Sequence, residues 1–573
     1  MTKLLRWFLF TLLLCWHQLA AAGDDALIDF QGDHYVINVG ALNPDSEMTL
    51  MDVLMLCPEV LTDNAKMLNG NFILCVDDID LYMDIETFLT MVKASEVETI
   101  DVYTNPSISQ GVGGSDGVIN IVYKEAEKDG TTGKVALEGS TYGNGLAYAD
   151  VKTRKRQVSV RGYALGNQHF ARGNYLEGIN FSQRELVEDA HVSVSWDISP
   201  KDNLTIKLFQ QFIDSKEYYH NTNDTYQSPI KDRLGELTFS YLRTLNDKGA
   251  ELLTEVGSAF TNFSNLEISQ RDASPYFFTE LTTPLLIDDL SMIAGWEVSY
   301  DNSWYIGLNR QQYLKNDLYV LLNYLHGPWT ITLGNRYTIL NYWNRNDDEA
   351  HKLWSHNRNA NSYLVSIGHK WGHHYVQGAF NRDFYIPTID DFYEDVMGEP
   401  MLGTSYETNM VWRTELRYTY QQKNLAIFGS AVHSWKTNLP TPREETTGIR
   451  ASVTWHQGPF RLTAGANFYH EHCAGDDLIP AQYDNSFTLR LSPALLPGHG
   501  WRLSSTLIYH SRQEQYGNHP HLFASLKVNK DLGRHCNIYA DFHDLAGMPS
   551  MSMELLPYIY HNRALTLGMT YRF

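Results

Sequence analysis

The sequence predicts an all-β transmembrane barrel of about 22 antiparallel strands, with a small α+β domain from the N-terminal part of the chain inside its lumen. Three observations lead there: many aromatics without a long apolar run, period-two alternation that continues to the last residue, and turn signals at wide intervals. The 573 residues include 35 Tyr, 24 Phe and 13 Trp beside 40 Gly, yet mean hydropathy is only -0.34. Strands that show one face to lipid and the other to a polar interior have that composition.

The chain opens with "MTKLLRWFLFTLLLCWHQLAAAG", in which Lys3 and Arg6 precede an apolar run and Ala20, Ala21 and Ala22 follow it. Charged end, short apolar core and small-residue exit predict a signal peptide over 1–22. Cys57, Cys75, Cys473 and Cys536 then remain, too scattered for a disulfide framework.

Next comes a segment, 23–129, too short to be the main fold. "MTLMDVLMLCPEVL" (48–61) predicts an amphipathic helix stopped by Pro58. "GNFILCVDDIDLY" (70–82) predicts a strand pair with an acidic turn, and "ETFLTMVKASEVETIDVY" (86–103) a helix running into a strand. "TNPSISQGVGGSDGVINIVYK" (104–124) places a glycine-rich turn before a β-branched strand. A dinucleotide site needs the turn to open a helix, so nucleotide binding is set aside.

From 130 to 573 the alternation is explicit. In "WTITLGNRYTIL", Trp329, Ile331, Leu333, Tyr337 and Ile339 share one face and Thr330, Thr332, Gly334, Arg336 and Thr338 the other. "FRLTAGANFY" (460–469) and the terminal "LTLGMTYRF" (565–573) repeat the pattern. Short turn signals near Lys155 and at 199–203, 246–249, 287–289, 326–328, 371–374, 421–424, 457–459, 497–500 and 531–533 recur about every 35 to 50 residues. Each interval holds two strands and one longer loop, which gives the strand count. A barrel this wide needs its lumen filled, and 23–129 is the segment available.

"SEVETIDVYTNPSISQGVGGSDGVINIVYKE" resembles the end of the plug of TonB-dependent outer-membrane receptors, in particular the Bacteroidota branch. "LMDVLMLCPEVLTDNAKMLNGNFILCVDDIDLY" resembles the helix and hairpin upstream of it, and "RALTLGMTYRF" the terminal strand. The resemblance implies a plug over 23–129 and an outer-membrane barrel over 130–573. It also implies solute binding and import driven by a TonB-type energising protein. It gives Pro106, Gly111, Gly113, Gly114 and Gly117 the role of a sharp plug turn, and Tyr571 and Phe573 that of the barrel-insertion signal. Two departures stand out: Pro58-Glu59 replaces the family's Pro-Gly, and Asp77-Asp78 lacks the following glycine. "DALIDF" (25–30) and "HYVINV" (34–39) match a TonB box only loosely. The other reading is a structural or assembly subunit that keeps the receptor fold and binds outer-membrane lipoproteins or other barrel proteins.

Two polar clusters read as solvated loops before they read as metal sites: His470, His472, Cys473, Asp476 and Asp477, and Asp390, Asp391, Glu394 and Asp395. No nucleophile-elbow or other catalytic spacing is present, so no enzyme and no cofactor are expected. A formal net charge of -22 argues against nucleic acid, and the expected surroundings are outer-membrane lipid.

Overall fold

The computed structural model describes 28–30, 34–42, 48, 50–54, 62–63, 66–67, 72–76, 79–80, 92, 94–103, 108 and 117–124. From 129 to 573 it describes every residue except 142, 176–179, 221–224, 267–268, 286–288, 307–308, 347–351, 386–408, 423, 438–443, 474–481, 512–519, 544, 546–549, 553–557 and 561–563.

Twenty-two long antiparallel strands form a closed barrel, from Gly130–Ser140 to Ala564–Arg572, and the last pairs with the first, Thr570 opposite Ala136. Closure leaves no unpaired edge to face lipid. All ten short turns lie where the sequence signals them, at one end of the barrel. Gly327, Gly372 and Gly458 take positive φ at three of them, which lets two residues reverse the chain. The longer connections crowd the other end. There the first hairpin is short, and the small hairpin Ser550–Ser552/Tyr558–Tyr560 pairs with Gly173–Tyr175 of the third strand. It supplies hydrogen bonds to an edge that rises above its neighbour.

The two faces differ as the alternation requires. Leu333 and Tyr337 are exposed on the outside while Thr332, Arg336 and Thr338 are buried inside; Leu567, Met569 and Tyr571 are exposed while Thr570 is buried. An exposed apolar outer wall, with Trp196, Trp329, Trp371 and Trp501 close to the short turns, is the architecture of a multi-pass outer-membrane barrel. No helix among the described residues is long and apolar enough to cross a membrane.

A separate six-stranded sheet lies inside. Its order is Ile28–Phe30, Tyr35–Asn38, Val97–Tyr103, Gly117–Tyr123, Phe72–Val76, Ile79–Asp80, and only the pair Phe72–Val76/Gly117–Tyr123 is parallel. The strand pair expected within 70–82 is present, with Cys75 opposite Asp80. Among the described residues the helical elements are one α-helical turn, Leu50–Leu54, and two 3₁₀ turns, Val39–Leu42 and Ala94–Glu96, the second preceding the strand Val97–Tyr103. The rest of both expected helices, 55–61 and 86–91, lies outside the described residues. The helical turn forms because Leu50, Val53 and Leu54 share a face, which is fully buried.

Candidate functional site

The inner sheet and the barrel wall share one apolar cluster. Tyr35, Ile37, Leu50, Leu54, Leu74, Ile100, Ile119 and Ile121 pack with Ala136, Leu146, Tyr148 and Leu165 of the first three barrel strands and with Phe428 across the lumen. Contacts on opposite walls place the sheet within the lumen. They also place it in the half nearest the short turns, since Phe428 is only a few residues from its turn.

Polar contacts complete the fit, and on the barrel side five of them come from cations. Lys134 Nζ meets Glu96 Oε2 at 2.6 Å, and the Arg161 guanidinium lies 3.4 Å from the centre of the Tyr123 ring. Arg417 lies over Tyr35 at 5.6 Å, and Arg461 Nη1 donates to Met48 Sδ at 3.7 Å. Arg336 Nη1 donates to the carbonyl oxygen of Ile108 at 3.0 Å. The other side of each contact is an acid, a π face or a lone pair. The chain's charge is partitioned to match: residues 23–128 hold 20 Asp and Glu against four Lys and no Arg. Burial pushes the Tyr123 phenol well above its usual range, so it stays neutral under the guanidinium.

Two of these cations sit in buried networks. Arg336 pairs with Glu297 at 2.5 Å and with Asp317, and Lys315 reaches the same two carboxylates at 3.2 and 3.1 Å. Above Gly334 the Ile108 side chain packs with Tyr319, Leu321 and Leu364. A Cβ at Gly334 would lie 2.8 Å from Ile108 Cγ1, so the glycine makes the notch that receives this residue. In the second network Glu415, with no side-chain exposure, pairs with Arg417 at 2.8 Å and has Arg413 and Arg450 each at 4.0 Å. Arg450 Nε in turn donates to Tyr469 Oη at 2.6 Å. The described residues of the inner domain are thus held against the wall by two apolar clusters and several polar contacts.

Of the plug-turn residues, Pro106, Gly111, Gly113 and Gly114 lie outside the described residues, and Gly117 begins the strand Gly117–Tyr123. Phe573 exchanges two backbone hydrogen bonds with Gly133, at 2.9 and 3.0 Å, and a Cβ at Gly133 would lie 2.5 Å from its ring. Tyr571 faces outward two residues earlier. Segment 34–39, weighed as a TonB box, contains the core strand Tyr35–Asn38, and Ile28–Phe30 pairs beside it. His470 bonds Asn485 through Nδ1 at 3.0 Å; the Cys473 side chain, Asp476, Asp477 and 390–395 lie outside the described residues. The cation set was not singled out from sequence, although an Arg on the polar face of an alternating strand, as at Arg336 and Arg461, was its visible signal.

No protein-family model matches the sequence, and no curated protein matches it. Solved structures do. The copper transporter OprC aligns over 97% of this chain and 100% of its own, with a TM-score of 0.72 at 11% identity. The FrpB iron transporter from Neisseria meningitidis aligns over 95% and 99%, with 0.71 at 10%. The siderophore receptor PirA from Pseudomonas aeruginosa aligns over 95% and 100%, with 0.66 at 14%. At these identities the likeness is one of fold, and it spans barrel and inner sheet together: this chain has the fold of those receptors and transporters.

Proposed function

We propose that the chain is an outer-membrane receptor-transporter of the TonB-dependent kind, in which the inner sheet is the plug, the longer loops capture a solute, and a periplasmic energising protein displaces the plug. One observation carries the reading. An acidic domain fills the turn-side half of the lumen and is held there by discrete contacts from Lys134, Arg161, Arg336, Arg417 and Arg461. Those contacts break one at a time, but the apolar cluster that Tyr35, Ile100 and Ile119 share with Leu146, Leu165 and Phe428 must be exposed when the sheet moves, which adds to the work required. Solute binding alone shifts the plug only by its differential affinity for the two plug positions, so the work comes from outside. The solved counterparts named for siderophore, iron and copper support a metal or metal-chelate solute. The Bacteroidota-type plug is supported by the motif residues at 95–125, and the turn and insertion roles of Gly111 to Gly117 and of Tyr571 and Phe573 rest on the same resemblance.

The test is purification in mild detergent after crosslinking through residues 24–34, followed by mass spectrometry. Recovery of a TonB-type protein is the expected result. A stable set of lipoprotein or barrel partners with no energiser would overturn import and favour a structural subunit.

A further inference from the structure

We propose that the outer wall formed by strands Val158–Tyr175, Asn180–Ser199, Asp202–His220, Thr225–Thr244, Glu251–Ser264 and Ser269–Pro284 binds a phosphate-bearing acyl lipid of the outer leaflet. Five exposed cations hold its phosphate, and a groove of small residues takes an acyl chain. The inference rests on the wall facing a membrane and is independent of import.

The cations are Arg184, Lys216, Lys231, Arg233 and Arg271, all exposed on the outward face toward the long-loop end. Register brings them together. Arg184 stands directly opposite Lys216, and like charges in that position repel unless an anion lies between them. Arg233 and Arg271 flank Asn262 in one cross-strand row, two strands and about 10 Å apart. Lys231 is opposite Asp214, which with Glu188 makes up the carboxylates of this patch. Among the described residues none of the five cations forms a salt bridge; Arg184 bonds Gln168 and stacks on Phe170, and Arg233 stacks on Phe212 at 5.7 Å. A net positive patch is unexpected on a chain of charge -22. Arg310 continues the row of Arg233 and Arg271 beyond Trp304, and farther round Arg382 lies over the Trp412 ring, while Thr414, Thr447, His470 and Asn485 are outward toward the same end.

Immediately toward the turns the wall becomes apolar, with Val192, Leu208, Leu237 and Phe260 exposed. The cations therefore stand at the headgroup level, where a charged side chain meets lipid phosphate. Beside them Ala149, Ala164, Gly166, Ala190 and Phe212, with the stems of Glu188 and Gln210, line a mainly apolar groove of about 500 Å³. Cross-strand pairing explains it: Ala149, Ala164 and Ala190 are successive partners on three strands, so no side chain fills the space between bulkier neighbours. Phe212 belongs to both parts, lining the groove and carrying the Arg233 guanidinium. A band of guanidinium and ammonium groups beside an apolar channel matches a phosphorylated headgroup joined to acyl chains.

The protein in a neutral detergent is titrated by native mass spectrometry with diphosphorylated lipid A, with the same lipid stripped of its phosphates, and with inorganic phosphate. Wild type is expected to prefer the phosphorylated lipid by about tenfold or more. The triple variant Lys216→Gln/Lys231→Gln/Arg233→Gln should lose that preference, and Ala164→Leu/Ala190→Leu should weaken both lipids. Lys201→Gln/Lys248→Gln, at the short turns, should change nothing. Equal binding of the two lipids, an unaltered triple variant, or inorganic phosphate binding as tightly as the lipid would overturn the proposal. If the wall did not face a membrane, neither lipid would bind, which differs from equal binding.

Discussion

Replacing Arg336 by Met should free the far side of the plug while leaving the barrel closed. The side chain is 4% exposed; it contacts Glu297, Asp317 and the Ile108 carbonyl and lies over the Tyr319 ring. Removing one partner of a buried ion pair costs about 3–5 kcal/mol. Lys315 remains within 3.2 Å of both carboxylates, so the lower end applies here. That loss falls on the barrel. The plug loses one charge-assisted hydrogen bond, about 1.5–3 kcal/mol, which raises its local opening constant roughly 10- to 100-fold. Hydrogen exchange on the purified protein reads the two separately: amides of Val97–Tyr103 and Gly117–Tyr123 should exchange faster by that factor, while the barrel's own loss is read from Trp329–Asn346. Unchanged exchange in the plug strands, with only the melting temperature lowered, would refute a docking role and leave Arg336 a barrel residue.

Gly334→Ala should loosen the same contact without touching a charge, because the new methyl occupies the space of Ile108 Cγ1, and its exchange profile should resemble that of Arg336→Met. Glu415→Gln leaves Arg413, Arg417 and Arg450 without their shared counter-charge and should lower barrel stability by about 3 kcal/mol or more, read as a lower unfolding temperature in detergent. Deleting Tyr571 to Phe573, or replacing Gly133 by Leu, removes the seat of the last residue and should reduce membrane-inserted protein in a fractionation assay. Cys75 is buried in the plug, so a maleimide should label it in proportion to plug opening, faster in Arg336→Met than in wild type.

Barrel topology was legible because period two and turn chemistry are local. Trp329 to Ile339 alternate in the sequence as they do on the wall, and pairs such as "HGP" at 326–328 mark a reversal wherever they occur. The inner sheet was legible in outline, since Phe72–Val76 and Gly117–Tyr123 are β-branched or apolar runs, and the expected helix over 48–61 contains the turn Leu50–Leu54. The docking contacts were not legible. Arg336 and Ile108 are 228 positions apart, and only the closed barrel brings one opposite the other.

The joint between the first and last strands has a consequence for the order of assembly. Lys134 to Ser140 have no partner on that side until Thr566 to Arg572 have been synthesised, and Phe573 completes the joint against Gly133. Closure is thus the most distant pairing in the chain and the slowest to find. The plug precedes the first strand and is tied to it by only residues 125–128, a reach of roughly 14 Å. A wall that can shut only when Thr566 to Arg572 reach Lys134 to Ser140 leaves an open side beside the domain that precedes the first strand. The inner domain is therefore enclosed as the last strand finds the first, and does not have to be threaded into a finished barrel.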